Sequence, residues 1–153
     1  MPNAILYDAA PSLTTVIRGD DTSPSLKALA SDAQKLGSEI DNTSSLNQYG
    51  VFELQIRGSA AFTTGGYVEL HFIPAADGSN YSDGDDTTAP PASCLAGTFP
   101  VRAVDTQQRV TLWGVVLPPL KFKPLIVNHT GQALTNTDDE NVLRFGAYND
   151  EVQ

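Results

Sequence analysis

Two short runs constrain the fold of this chain more than any other feature. "VFELQIR" (51–57) and "YVELHFI" (67–73) carry an apolar side chain at every second residue. Only an extended strand gathers that spacing onto one face. The first run puts Phe52, Leu54 and Ile56 on one side and Glu53, Gln55 and Arg57 on the other. The second turns Val68, Leu70 and Phe72 inward, with Glu69 and His71 outward. "SAAFTTGG" between them has the length and the glycines of a hairpin connection. Further strands are expected in "CLAGTFPVRAV", with Leu95, Phe99 and Val101 on one face, in "RVTLWGVVL", and in "LKFKPLIVN". The pair Pro118–Pro119 cannot donate ladder hydrogen bonds and marks the turn before the last of these. "NVLRFGAY" closes the series, with Leu143, Phe145 and Ala147 alternating against Arg144. A seventh strand is expected in "QKLGSEID", where Leu36 and Ile40 share a face. Seven or eight short strands joined by polar loops predict an all-β fold, an antiparallel β-sandwich or jelly roll.

The pattern changes near residue 34. Residues 1–33 are rich in Ala, Ser, Thr and Asp, with prolines at 2, 11 and 24. They are expected to form an extended arm or a short helical segment, leaving 34–153 as the sandwich domain. Within "SPSLKALASDAQKLG", Leu26, Leu29, Ala30, Ala33 and Leu36 have helical spacing, with Ser23 as a cap and Gly37 as a stop. A short helix or turn near 24–32, followed by a strand, is the expectation. The connections at 75–93 and 130–140 are long for a compact domain, and long loops are often functional.

With 153 residues and 41% hydrophobic content, the chain is long enough for one domain with a real core. The net charge of -9 disfavours nucleic acid and anionic membrane surfaces as partners. No apolar run approaches the roughly 18 residues of a membrane helix. The opening "MPNAILYDAAPSLTT" lacks a basic start and an apolar core, so no secretory leader is expected. The sequons at Asn42, Asn80 and Asn128 are then not expected to carry glycans, and synthesis in the cytoplasm is expected. The one cysteine, Cys94, allows neither an internal disulfide nor a multi-cysteine zinc site.

Little else looks chemical. The acidic stretch "AADGSNYSDGDDTT" (75–88) fails the EF-hand spacing from Asp77 and from Asp83. A different calcium site from Asp77, Asp83, Asp85 and Asp86 is the sharper reading, and a solvated turn-rich loop that touches a partner is the plainer, favoured one. His71 is expected on a strand's outer face, and His129 in a turn. No nucleophile signature, phosphate loop, dinucleotide fingerprint or glycosidase carboxylate spacing occurs, so neither an enzyme nor a cofactor is expected. Trp113 is open between two placements. If Val110 and Leu112 face the core, it points outward with Thr111 and Val115 and marks a partner or sugar surface. If the register slips, it is core.

Five segments together resemble small structural proteins of tailed-bacteriophage particles: "SEIDNTSSL", "VELHFIPAADGSNYSDG", "LAGTFPVRAV", "GVVLPPLKFKPLIVNHTGQAL" and "RFGAYNDEV". Residues 34–153 carry the resemblance. It implies a capsid decoration or cement protein on the virion surface. The partner would be the major capsid protein, with the chain as a homotrimer or another symmetric homo-oligomer. The partner-contacting residues would be Leu6, Tyr7, Leu13, Val16 and Ile17 of the arm, Asp83, Asp85 and Asp86 of the acidic loop, and Trp113. The alternative is a tail- or fibre-associated module that binds a host surface carbohydrate or another tail protein. Tyr81, Trp113 and Tyr148 would then be the candidate sugar-stacking aromatics.

Overall fold

The computed structural model describes residues 5–7 and 12–152. Nine strands form two antiparallel sheets. The first holds β2 (Thr14–Ile17), β10 (Val142–Tyr148), β5 (Tyr49–Ile56) and β8 (Gln108–Val116), in that order. The second holds β3 (Gln34–Leu36), β9 (Lys121–His129), β6 (Tyr67–Ala75) and β7 (Leu95–Pro100), with β4 (Ile40–Asp41) also paired to β9. From β7 to β10 each connection crosses from one sheet to the other, as in a jelly-roll sandwich. A separate two-stranded pair joins β1 (Ile5–Tyr7) to β11 (Asp150–Val152).

The inward faces are the ones the alternation predicts. Phe52, Leu54 and Ile56 on β5, Val68, Leu70 and Phe72 on β6, and Leu143 and Phe145 on β10 are all buried. Four rings link the two sheets in a closed circuit. Phe52 lies 5.4 Å from Phe72 and 4.9 Å from Phe145, centroid to centroid. Phe122 closes it at 4.7 Å from Phe72 and 6.4 Å, edge-on, from Phe145. These separations suit the ring quadrupoles and add to the burial of large apolar area.

Four expectations change. No α-helix forms near 24–32, which is a series of turns. Leu26 and Leu29 are buried as their spacing suggests, but the backbone takes distant partners. The Leu26 amide donates to the Arg18 carbonyl and the Ala28 amide to Thr135, while Ala28 and Asp32 adopt positive φ. Tertiary hydrogen bonds override a modest helical tendency. The "QKLGSEID" segment is two short strands rather than one, because the chain approaches β9 and β2 closely at Gly37. A Cβ there would sit 2.9 Å from both Ile17 and Pro124 side chains. On β7 a bulge lies at Ala96: Leu70 pairs with Gly97 and His71 with Leu95. The extra residue reverses the alternation, so Leu95 is exposed while Phe99 and Val101 remain in the core. Lastly, His71 is not on an exposed face. It is only 4% exposed, and its neighbour Ile73 is fully buried.

The long connection after β6 explains that burial. Segment 76–94 lies against the outer face of the second sheet. Tyr81 and Cys94 pack there on a small second core of Ile73, Leu125 and Val127. Asp86 anchors the segment, accepting from the Leu36 amide at 2.8 Å and pairing with Lys35.

At the other end Asn128, fully buried, donates to the carbonyls of Leu29, Ala30 and Gln132 at 3.2, 3.0 and 2.9 Å. One amide thus fixes the 24–33 turns to β9. Phe122→Ala should lower stability by about 3–5 kcal/mol, because it opens a cavity in the four-ring circuit. Asn128→Ala should lower it by about 2–3 kcal/mol, because buried carbonyls lose their donor. Equilibrium denaturant unfolding checks both.

Candidate ligand-binding surface

Trp113 settles outward. Val110 and Leu112 pack against the core, and Trp113 is 77% exposed. Val115, expected beside it, turns to the core side instead. The cause is Gly114, which has a φ of +68° and lies where the β5–β8 register slips between Gly50 and Phe52. A positive-φ glycine at a bulge re-aims the residues beyond it, and Val116 is left 73% exposed.

The outer face of the first sheet therefore carries an aromatic end and a charged end. At the charged end Arg144 donates to Glu53 at 2.9 Å, with Arg109 3.9 Å from the same carboxylate. At the aromatic end Tyr49 and Tyr148 are register partners on β5 and β10. Their rings stack at 5.5 Å and 28°. With Trp113, Gly114 and Asp150 they line a cavity of about 260 Å³. On the other side of Trp113 a larger groove of about 880 Å³ runs along the open edge between β7 and β8. Leu95, Ala96, Gly97, Val116 and Pro118 are among its lining residues, and Phe72 of the ring circuit also contributes. Trp113 and Gly114 belong to both cavities. A third hollow of about 350 Å³ adjoins them at Leu46, Tyr49 and Val116. Leu46, Leu95, Trp113 and Val116 are thus exposed apolar side chains gathered on one flank, a concentration that marks a binding surface.

The other anticipated site residues do not join this surface. Leu6 and Tyr7 lie on β1, and their side chains are outside the described residues. Leu13 is exposed just before β2. Val16 and Ile17 are core residues of β2, packed from the first sheet into the sandwich. Tyr81 is in the segment that covers the opposite sheet, donating to Glu39 and lying under the Lys123 ammonium at 4.2 Å. Burial first, and then the Glu39 carboxylate, push its phenol up to about 12.

The aspartates serve the loop. Asp77 accepts from the Ser79 and Asn80 amides at 2.8 and 2.7 Å, and Asp85 accepts from those of Thr87 and Thr88, both at 2.7 Å. Asp83 is exposed, and Asp86 holds the loop to β3 as described. Among the described residues no cluster of His, Cys, Asp and Glu converges to hold a metal ion. His71 meets Glu69 at 2.9 Å, and His129 meets Asp32 at 2.9 Å, in a cleft beneath segment 89–95.

Tyr49, Gly114 and Asp150 are the surface residues that sequence reasoning did not single out. Tyr49 had one available signal: extending the β5 alternation backward by one step puts it on the outer face with Val51 and Glu53.

No protein-family model and no curated protein matches the chain. Among solved structures, it is similar to Xyl-CBM35 in complex with a glucuronic-acid-containing disaccharide, at 15% identity and a TM-score of 0.47, over 97% of this chain and 95% of that one. It is similar also to the CBM36-1 domain of a multidomain xylanase from the hindgut metagenome of Trinervitermes trinervoides, at 9% identity and a TM-score of 0.44, over 97% and 96%. A third is the carbohydrate-binding module CBM36 in complex with calcium and xylotriose, at 14% identity and a TM-score of 0.39, over 98% and 99%. Identities and scores this low describe a distant likeness in shape and carry no residue or ligand across. The capsid-decoration expectation is nonetheless corrected. The named structural neighbours are carbohydrate-binding modules rather than shell proteins. Two residues assigned to a docking arm, Val16 and Ile17, are moreover buried in the sandwich.

The acidic loop gives a pH prediction. Amide donors from Thr87 and Thr88 hold the Asp85 carboxyl down at about 2, and those of Asn80 and Ser79 do the same for Asp77. A depressed carboxyl stabilises the folded loop above its ordinary value near 3.8, and that contribution is lost as pH falls toward 2. Amide resonances of Ser79, Asn80, Thr87 and Thr88 should therefore hold steady down to about pH 4 and titrate with midpoints near 2.

Proposed function

We propose that this chain is a carbohydrate-binding module and that Trp113 is its stacking platform. The observation that carries the reading is the exposure of Trp113 between two cavities, on a sheet face that none of the described loops covers. An indole in that position gains by burying its apolar face, and a pyranose offers it a face of C–H groups of matching size. Ligand sites combine such apolar walls with a few polar groups that fix orientation. Here the Tyr148 hydroxyl, the Asp150 carboxylate and the serines of the groove, Ser82 and Ser93, supply them. The larger groove is open along the sandwich edge, which suits a segment within a polymer. The reading assigns binding and no catalytic step. It takes up the carbohydrate half of the second sequence expectation.

Trp113 is the one tryptophan of the chain, so its fluorescence reports this surface alone. Titration with a panel of soluble oligosaccharides should change that emission saturably for at least one ligand. Trp113→Ala should remove retention on the corresponding insoluble polysaccharide, a loss of about tenfold or more in affinity, since a single aromatic anchor commonly contributes 2 kcal/mol or more. A panel without a hit, or full retention by Trp113→Ala, would sink the reading. A protein ligand docking on the same apolar flank would instead show as self-association or complex formation by sedimentation.

A further inference from the structure

We infer that the smaller cavity beside Trp113 takes a protonated amine, and that the glycan recognised is one bearing free amino groups. This rests on the carbohydrate reading and narrows it to amino sugars.

The cavity has an unusual composition for its size. Among the described residues its lining is Tyr49, Trp113, Gly114, Tyr148 and Asp150. Three are aromatic, one has no side chain, and the last is the only charged group. The faces of aromatic rings attract cations, Trp most strongly. The Tyr49 and Tyr148 rings form a stacked wall, with their separation of 5.5 Å. Trp113 provides a further wall. Gly114 leaves the passage to the larger groove unobstructed, since the nearest atom to a Cβ built there is the Tyr148 hydroxyl at 3.7 Å.

Asp150 is the second, independent observation. Its Oδ1 is buried and accepts no hydrogen bond. A carboxylate oxygen in that condition is costly unless a donor reaches it. Among the described residues no cationic side chain lines the cavity to serve it. Arg144 and Arg109 on this sheet face are both directed at Glu53, at the far end. An ammonium entering the cavity would lie against the Asp150 side chain, which lines it, and supply the missing charge. The chain's net charge of -9 favours the same ligand and disfavours uronates. Because Trp113 and Gly114 border both cavities, one sugar unit can stack on the indole while the amine of that unit or the next points toward Asp150.

The test uses the full chain and Trp113 fluorescence. Three probes of equal length are titrated at pH 6 and low salt: glucosamine oligomers, their fully N-acetylated counterparts, and glucose oligomers. The expected result is a preference of about tenfold for the free amine over both others, the scale of a partly desolvated cation–π and ion pair. That preference should shrink as salt is raised. In Asp150→Asn, the preference for the free amine over the neutral oligomers should fall to about one. The acetylation and salt comparisons are made on the unaltered protein, so they stand even if the variant is unstable. Equal affinity for aminated and neutral oligomers would overturn this inference and leave the carbohydrate reading standing. Binding of none of the three, together with an empty wider panel, would overturn both. A preference that survives in Asp150→Asn would overturn the assignment to this cavity.

Discussion

The circuit of Phe52, Phe72, Phe122 and Phe145 is the contact on which the rest of the molecule depends. Each sheet contributes two rings, and each ring touches both of its neighbours in the circuit. With no disulfide available to a chain with a single cysteine, the sheets are held together by packing alone. The circuit fixes their separation and their offset. It also reaches the surface, because Phe72 forms part of the floor of the groove beside Trp113. The shape of the candidate site is therefore an outcome of core packing. A loss of volume in the core would be felt there as well as in stability.

The two outer faces of the sandwich are finished in opposite ways. On the second sheet, segment 76–94 adds a third layer that buries His71, Ile73, Leu125 and Val127. On the first sheet, the aromatic end stays open. The asymmetry has a local cause. Asp86 and Gln34 tie the long segment to β3, the edge strand of the second sheet. The connection 101–107 before β8 is short and adds no such layer to the first sheet.

How much of this could be read from the sequence follows from the range of the interactions. Alternation is a nearest-neighbour property, so the inward faces of β5, β6 and β10 were legible residue by residue. The outward placement of Trp113 was one of two legible registers. The bulges at Ala96 and Gly114 were not, since each reverses alternation midway along a strand and Leu95 and Val115 then change sides. The burial of His71 was illegible for a different reason. It depends on a loop that returns to the sheet from more than twenty residues away along the chain, and polar loop composition gives no hint of such a covering role. Helical spacing in 24–36 misled because Leu26 and Leu29 are spaced for a helix yet the backbone takes partners outside it, Leu26 the Arg18 carbonyl and Leu29 the amides of Asn128 and Leu134, more than ninety residues distant. The aspartates looked like ligands or a docking patch because a carboxylate that caps a turn and one that awaits a cation have the same local sequence.

The bulge at Gly114 has one more consequence. β8 is the last strand of its sheet, so its outer edge presents backbone groups to solvent, and its exposed Trp113 and Val116 would reward any strand laid alongside. Such an edge is a template for runaway association. A left-handed residue set between those two side chains interrupts the regular spacing of donors and acceptors where the apolar attraction is greatest. The kink that bares Trp113 thus also breaks, along this stretch of the edge, the regular ladder that a strand laid alongside would need.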